Sequence, residues 1–254
     1  MKKSVNILGF KTSSSGVSGD IELAWNIVKS GATGKYVACT NPHSIVVSTK
    51  DRYFRESLSQ ADILLPDGIG IVLAAKILGL DLNERVAGSD LFQGLSEKAN
   101  NSGGLKYFFL GSTDEVLKKI AKRLSEDYPN ITICGVLSPP FKSEFSEEDN
   151  VEMIDMINKA KPDVLWVGLT APKQEKWIYQ NKDKLDVPLM GAIGAVFDFY
   201  AGTIKRSPEW VCKMGLEWLP RLFREPRRLF KRNFISSPLF LLMVFKTKLG
   251  LMKG

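Results

Sequence analysis

Short apolar runs alternate along the chain with longer stretches of helical period. The runs Val5 to Leu8, Tyr36 to Cys39, Ile63 to Leu65, Tyr107 to Leu110, Ile131 to Val136, Val164 to Val167 and Leu189 to Ile193 read as buried strands. Between them, Asp20 to Lys29, Ile69 to Leu78, Ser89 to Asn100, Asp114 to Asp127, Glu147 to Ala160 and Gln174 to Lys182 read as helices. Start signals support two of these. Ser112, Thr113 or Asp114 can cap one, and Ser146 followed by Glu147, Glu148 and Asp149 puts negative charge at the positive end of another. The alternation predicts an α/β fold, a Rossmann-like and mostly parallel sheet with helices on both faces. Ligands of such sheets bind beyond the carboxyl ends of the strands, so the informative residues are those just after each run.

After Gly202 the pattern changes to interleaved Arg, Trp, Phe and Pro. The expected division is therefore a catalytic α/β domain over 1–204 and a basic, aromatic, helical appendage over 205–254. Charge follows the same boundary. From Lys205 onward there are twelve Lys/Arg and three Asp/Glu, which leaves 23 basic and 25 acidic residues before it and a net of −2 there. The +7 of the whole chain is thus a property of the tail, which implies an anionic partner, a membrane surface or a nucleic acid.

Composition removes several classes of chemistry. Cys39, Cys134 and Cys212 are widely spaced, without CxxC, so a disulfide scaffold and a structural zinc site are not expected. His43 is the sole histidine, which rules out hydrolysis at a histidine-held metal. The longest apolar run near the end, Leu239 to Phe245, falls far short of the roughly 20 residues a spanning helix needs, and the N-terminus lacks a signal-peptide core. A reduced, cytoplasmic location is expected.

Four strand ends carry polar residues that a core does not require: Thr40 and Asn41, Asp67 and Gly68, Lys173 to Glu175, and Asp198. Each has a plainer reading. Asp-Gly after a strand is a common turn pair, and Asn41-Pro42 caps a helix with similar ease. GIG at 68–70 and GAIGA at 191–195 do not complete GxGxxG, which leaves little support for an NAD-linked oxidoreductase. Trp166 and Trp177 read as core, and His43 as a helix-start or packing residue.

In combination these segments are more telling. PDGIG (66–70), RVAGSD (85–90), APKQEKWI (171–178), GAIGAVFDFYAGTIKRSPEW (191–210) and GLEWLPRLFREPRR (215–228) resemble, in that order, the WecG/TagA/CpsF glycosyltransferases. The resemblance runs from about Thr40 to Arg232. It implies an inverting, metal-independent enzyme that needs no cofactor. Such an enzyme moves a sugar (N-acetylmannosamine, its uronic acid or glucose) from a UDP-sugar to a polyprenyl-diphosphate-linked sugar, in the synthesis of a surface polysaccharide, exopolysaccharide or wall teichoic acid.

By similarity Asp67 matches the family's base, while Asn41, Arg85 and Gln174 match polar positions of the same pocket. Thr40 is a further candidate, although the family's usual Thr-x-Asn is Cys39-Thr40-Asn41 here. Gly68, Asp90, Lys173, Glu175, Gly194 and Asp198 are candidates for holding substrate. Arg206, Arg221, Arg224 and Arg227 match basic positions of a C-terminal part that folds over the site to meet diphosphate. KRNF (231–234) departs from the family's RRY-like end.

Chemistry agrees with this assignment at two points. Inverting transfer needs one carboxylate to take the acceptor's proton, and the leaving diphosphate needs cations or N–H donors, for which arginine forks are suited. In the tail, Trp210, Trp218, Phe223, Phe230, Phe234, Phe240 and Phe245 interleave with the arginines, as in segments lying at a membrane interface. The expected setting is peripheral, on the inner face of the cell membrane, with no nucleic acid bound and with homo-oligomers allowed. The alternative is a nucleic-acid-binding α/β protein with a basic aromatic tail.

Overall fold

The computed structural model describes residues 3–204 and 230–251. A first pair of strands, β1 (Ser4–Ile7) and β2 (Phe10–Ser13), forms an antiparallel hairpin. Here the structure corrects the expected strand Val5 to Leu8, because Leu8 and Gly9 are the turn, both at positive φ (52° and 86°). β2 escapes a periodicity reading because Lys11, Thr12 and Ser13 follow its single large apolar residue, Phe10.

The remaining strands form one sheet. They are β3 (Lys35–Thr40), β4 (Ile63–Pro66), β5 (Lys106–Gly111), β6 (Thr132–Leu137), β7 (Val164–Gly168) and β8 (Leu189–Ala192), in the order β4-β3-β8-β7-β5-β6. Every pairing is parallel, with Thr40 beside Pro66 and Val167 beside Ala192. Parallel strands need crossovers, supplied here by α2 (Pro42–Ser48), α3 (Arg52–Ser59), α4 (Ile69–Leu78), α5 (Gly88–Asn101), α6 (Asp114–Asp127), α7 (Glu147–Ala160) and α8 (Lys173–Asn181), while α1 (Gly16–Lys29) leads into β3 and α9 (Val196–Tyr200) follows β8. The helices read from the sequence are present within a few residues. The short α2, α3 and α9 are additions, the first two opened by Asn41 and Asp51, whose side chains accept from Ser44 N and Phe54 N.

Alternation along each strand divides the core between the two faces of the sheet. On one face Leu165 and Val167 pack with Ile45, Leu58, Ile71, Ile157 and Ile178 from α2, α3, α4, α7 and α8. On the other, Val164 and Trp166 pack with Ala24, Phe92, Ile120 and Phe197 from α1, α5, α6 and α9. Trp166 and Trp177 are buried, as their sequence reading expected.

The described part of the C-terminal segment is a π-helical stretch, Lys231–Ser236, continuing into α10 (Ser237–Lys248). This helix packs on α2 and α4 and sends Phe240 and Val244 into the first of those two cores.

Candidate active site

A cleft of about 460 Å³ opens beyond the carboxyl ends of β4, β3, β8 and β7, the position that such a sheet offers a ligand. Asp67, immediately after β4, lines it. Its main-chain N–H donates to Thr40 O at 2.8 Å, so the end of β3 holds the turn that carries the carboxylate. Gly68 follows at φ +107°, a conformation that L side chains avoid, and is the N-cap of α4. Gly70 lies so close to Pro42 that an added Cβ would come within 2.5 Å of Pro42 Cγ. The starts of α2 and α4 are thereby pressed together and residues of both line the cleft; α4 is the one without a side-chain cap, so its first N–H groups remain for a ligand.

Arg85 comes from the loop joining α4 to α5. Val86 N–H donates to Pro66 O at 3.1 Å, stitching that loop to the end of β4. The guanidinium then lies 3.9 Å from Asp67 Oδ1 and 3.7 Å from Asp90 Oδ2. Asp90 Oδ2 also accepts from Ala87 N–H at 2.9 Å, which caps α5. Asp90 therefore steadies Arg85 from behind rather than lining the cleft.

The other expected residues divide in the same way. Asn41 lines the cleft, yet its Oδ1 is engaged by Ser44 N–H at 3.0 Å as the cap of α2. Thr40 is fully buried behind it, with its hydroxyl 3.4 Å from Ser44 Oγ. Gln174, Glu175 and Gly194 line the cleft. Lys173 does not: its ammonium sits over the Phe145 ring and donates to Lys142 O. Asp198 closes the turn after α9, accepting from Thr203 Oγ1 at 3.2 Å. Arg206, Arg221, Arg224 and Arg227 lie outside the described residues.

The structure adds residues that the motifs did not single out for the site. Cys39, His43 and Ser89 line the cleft from the body of the protein, and Arg232, Asn233, Phe240 and Leu241 line it from the C-terminal segment. His43 Nδ1 and Ser236 Oγ are joined by a hydrogen bond of 2.8 Å, tying the start of α2 to the start of α10. Burial, reinforced by the nearby Asp67 charge, pushes the Cys39 thiol well up, so it stays a neutral thiol rather than a nucleophile. Burial also pushes the Glu175 carboxyl up, to about 7.

The cleft thus offers two carboxyl groups at its wall, those of Asp67 and Glu175, arginines from two directions and the uncapped start of α4. That set suits an anionic ligand carrying a hydroxyl or a leaving group near Asp67. Among the described residues no cluster of three or more His, Cys, Asp or Glu side chains is placed to hold a metal ion.

Comparison with known proteins adds a second line of evidence. The family model described as "Glycosyl transferase WecG/TagA/CpsF family" matches residues 5–254. An N-acetylglucosaminyldiphosphoundecaprenol N-acetyl-beta-D-mannosaminyltransferase of Bacillus subtilis is 33% identical over 213 residues, covering 84% of this chain and 80% of that protein. A protein of the same name from Bacillus spizizenii is 32% identical over 84% of this chain and 79% of its own. Another, from Staphylococcus aureus strain MW2, is 27% identical over 86% and 83%. With the match running almost end to end and the strand-end residues gathered in one cleft, the chain belongs to the WecG/TagA/CpsF family and is a glycosyltransferase.

Proposed function

We propose that this enzyme transfers N-acetylmannosamine from its UDP derivative to N-acetylglucosamine carried on a polyprenyl diphosphate, with inversion at the anomeric carbon and without a metal ion. Support for the sugar and the acceptor comes from the relatives' names, which favour this donor over a uronic acid or glucose. The observation that carries the mechanism is Asp67, held at a strand end in the cleft with Arg85 beside it.

In this mechanism Asp67 takes the proton from the acceptor hydroxyl as that oxygen attacks the anomeric carbon. The bond from that carbon to the β-phosphate oxygen breaks, and UDP leaves with the added charge. We assign the stabilisation of that charge to Arg85 and Arg232, with the uncapped N–H groups at the start of α4. By the family resemblance, Arg206, Arg221, Arg224 and Arg227 would help to offset this charge.

The acceptor is a lipid, and the surface around the cleft suits one. Ile69 and Leu73 of α4 line the cleft and remain exposed, and Leu239, Leu242 and Phe245 of α10 are exposed as well. Lys246 and Lys248 follow in the last turn of that helix. Among the described residues no helix is long and apolar enough to cross a membrane. The protein accordingly lies on the inner leaflet by an apolar rim and basic side chains, each basic group contributing about 1 kcal/mol near anionic lipid.

The test is an assay with purified enzyme, UDP-N-acetylmannosamine and a short-chain lipid diphosphate bearing N-acetylglucosamine, in chelator. A disaccharide lipid with inverted anomeric configuration is expected. Retention of configuration, a strict metal requirement, or no transfer from this donor would each overturn the corresponding part of the proposal.

A further inference from the structure

The side of the cleft formed by the start of α8 has a chemistry that neither the base nor the arginines explain. Gln174 and Glu175 are only 5% and 2% exposed, yet both line the cleft. Gln174 Nε2 donates to Glu175 Oε1 at 2.9 Å. Among the described residues, Gln174 Oε1 and Glu175 Oε2 have no hydrogen-bond partner. Buried acceptors are normally satisfied, and two unsatisfied ones on one wall mark a place where a ligand brings donors.

Acceptor oxygens repel the oxygens of a diphosphate and suit hydroxyl or amide N–H groups. A nucleotide sugar carries such groups on its nucleoside and on its sugar, and position within the cleft decides between them. Gln174 lies against Gly194, just beyond β8, and β8 pairs with β3, whose Thr40 carbonyl holds the Asp67 turn, so this wall stands at the Asp67 end. That is the end where the anomeric carbon must react. Gly194 leaves room there, since a Cβ at that position would come within 3.0 Å of Gln174 Oε1.

Resting on the transferase reading above, we propose that Glu175 is a positioning residue for the donor sugar: it fixes the Gln174 amide so that Gln174 Oε1 and Glu175 Oε2 together receive the sugar's hydroxyl or acetamido N–H groups. In its ionised form, above about pH 7, the Glu175 carboxyl only accepts, so it draws an N–H of Gln174 toward itself and turns the amide oxygen away. Glutamine at 175 imposes no such direction, because its own amide can face Gln174 either way.

The experiment is a calorimetric titration of wild type, Glu175→Gln and Gln174→Met with UDP and with UDP-N-acetylmannosamine, together with steady-state kinetics. Both variants should bind UDP within about twofold of wild type, and both should lose about tenfold in affinity for the nucleotide sugar, with KM rising in proportion. Retention of the wild-type ratio of UDP-sugar to UDP affinity in either variant overturns the assignment. Equal losses for UDP and UDP-sugar overturn it as well, since a merely structural role or a nucleoside contact would act on both. If Glu175→Gln does not fold, Gln174→Met decides alone by the same criteria. Wild-type protein that binds neither nucleotide overturns the transferase reading, and this inference with it.

Discussion

Arg85 stands 3.9 Å from Asp67, on a loop tied to the same strand end that carries the carboxylate. The proposed base and its cationic neighbour are thus positioned by one short piece of β-sheet edge, and the two can be tested separately. Asp67→Asn preserves shape and removes proton acceptance. The expected result is a kcat about 10²–10⁴-fold lower, the usual worth of a general base, with the UDP dissociation constant within twofold of wild type. A variant with near-normal turnover would show that another group takes the proton.

Arg85→Lys keeps the charge and loses the planar fork. Because bidentate recognition of phosphate depends on that fork, KM for the UDP-sugar should rise about tenfold, equivalent to about 1.4 kcal/mol. Thermal stability should change little, since the Arg85 side chain remains partly exposed.

The Glu175 carboxyl, pushed up to about 7 from an ordinary 4.5 by burial and partly offset by the Gln174 hydrogen bond, links stability to pH. Between those values the folded protein retains a proton that the unfolded chain releases. Stability therefore falls as pH rises from about 4.5 to about 7 and levels off above, by on the order of 3 kcal/mol from this group. Glu175→Gln does not titrate, so its Tm relative to wild type should climb from pH 5 to pH 8. A constant Tm difference across that range would contradict the assignment.

Leu242 and Phe245 project from α10 to solvent, whereas Phe240 and Val244 of the same helix are buried. Leu242→Ser with Phe245→Ser should cut co-sedimentation with anionic vesicles about tenfold while leaving Tm within about 1 °C, as surface changes do. Phe240→Ala should do the reverse. It opens a hole between α10 and the core, costing about 3–5 kcal/mol, and should lower Tm with no direct loss of vesicle contact.

The sheet and its long helices were legible because each strand is a compact apolar run and each helix keeps a clear apolar stripe. Short elements were not. α2 spans Pro42–Ser48 with Ile45, Val46 and Val47 in succession, a strand-like run made helical by the Asn41 cap and Pro42 at its first turn. The cleft was legible where residues closely follow a strand, as Asp67 and Gly194 do, and at Gln174 in the first turn of the helix after β7. It was misleading at Lys173, one residue before Gln174 but facing Phe145, and at Asp198, which closes a turn. Arg232, Ser236 and Leu241 gave no signal as site residues, because their place depends on the docking of α10 against α2 and α4, a long-range contact that no local pattern encodes.

That docking bears on how the enzyme comes into being. The walls of the cleft are drawn from residues as far apart in the chain as Cys39 and Leu241. Synthesis proceeds from the N-terminus, so the sheet with Asp67 and Gln174 can assemble while the last wall has yet to be made. A chain stalled or clipped before Phe230 would keep its base and most of its core, and would lack Arg232 and the His43–Ser236 tie. Competence for transfer therefore arrives late, coincident with the segment proposed to meet the lipid.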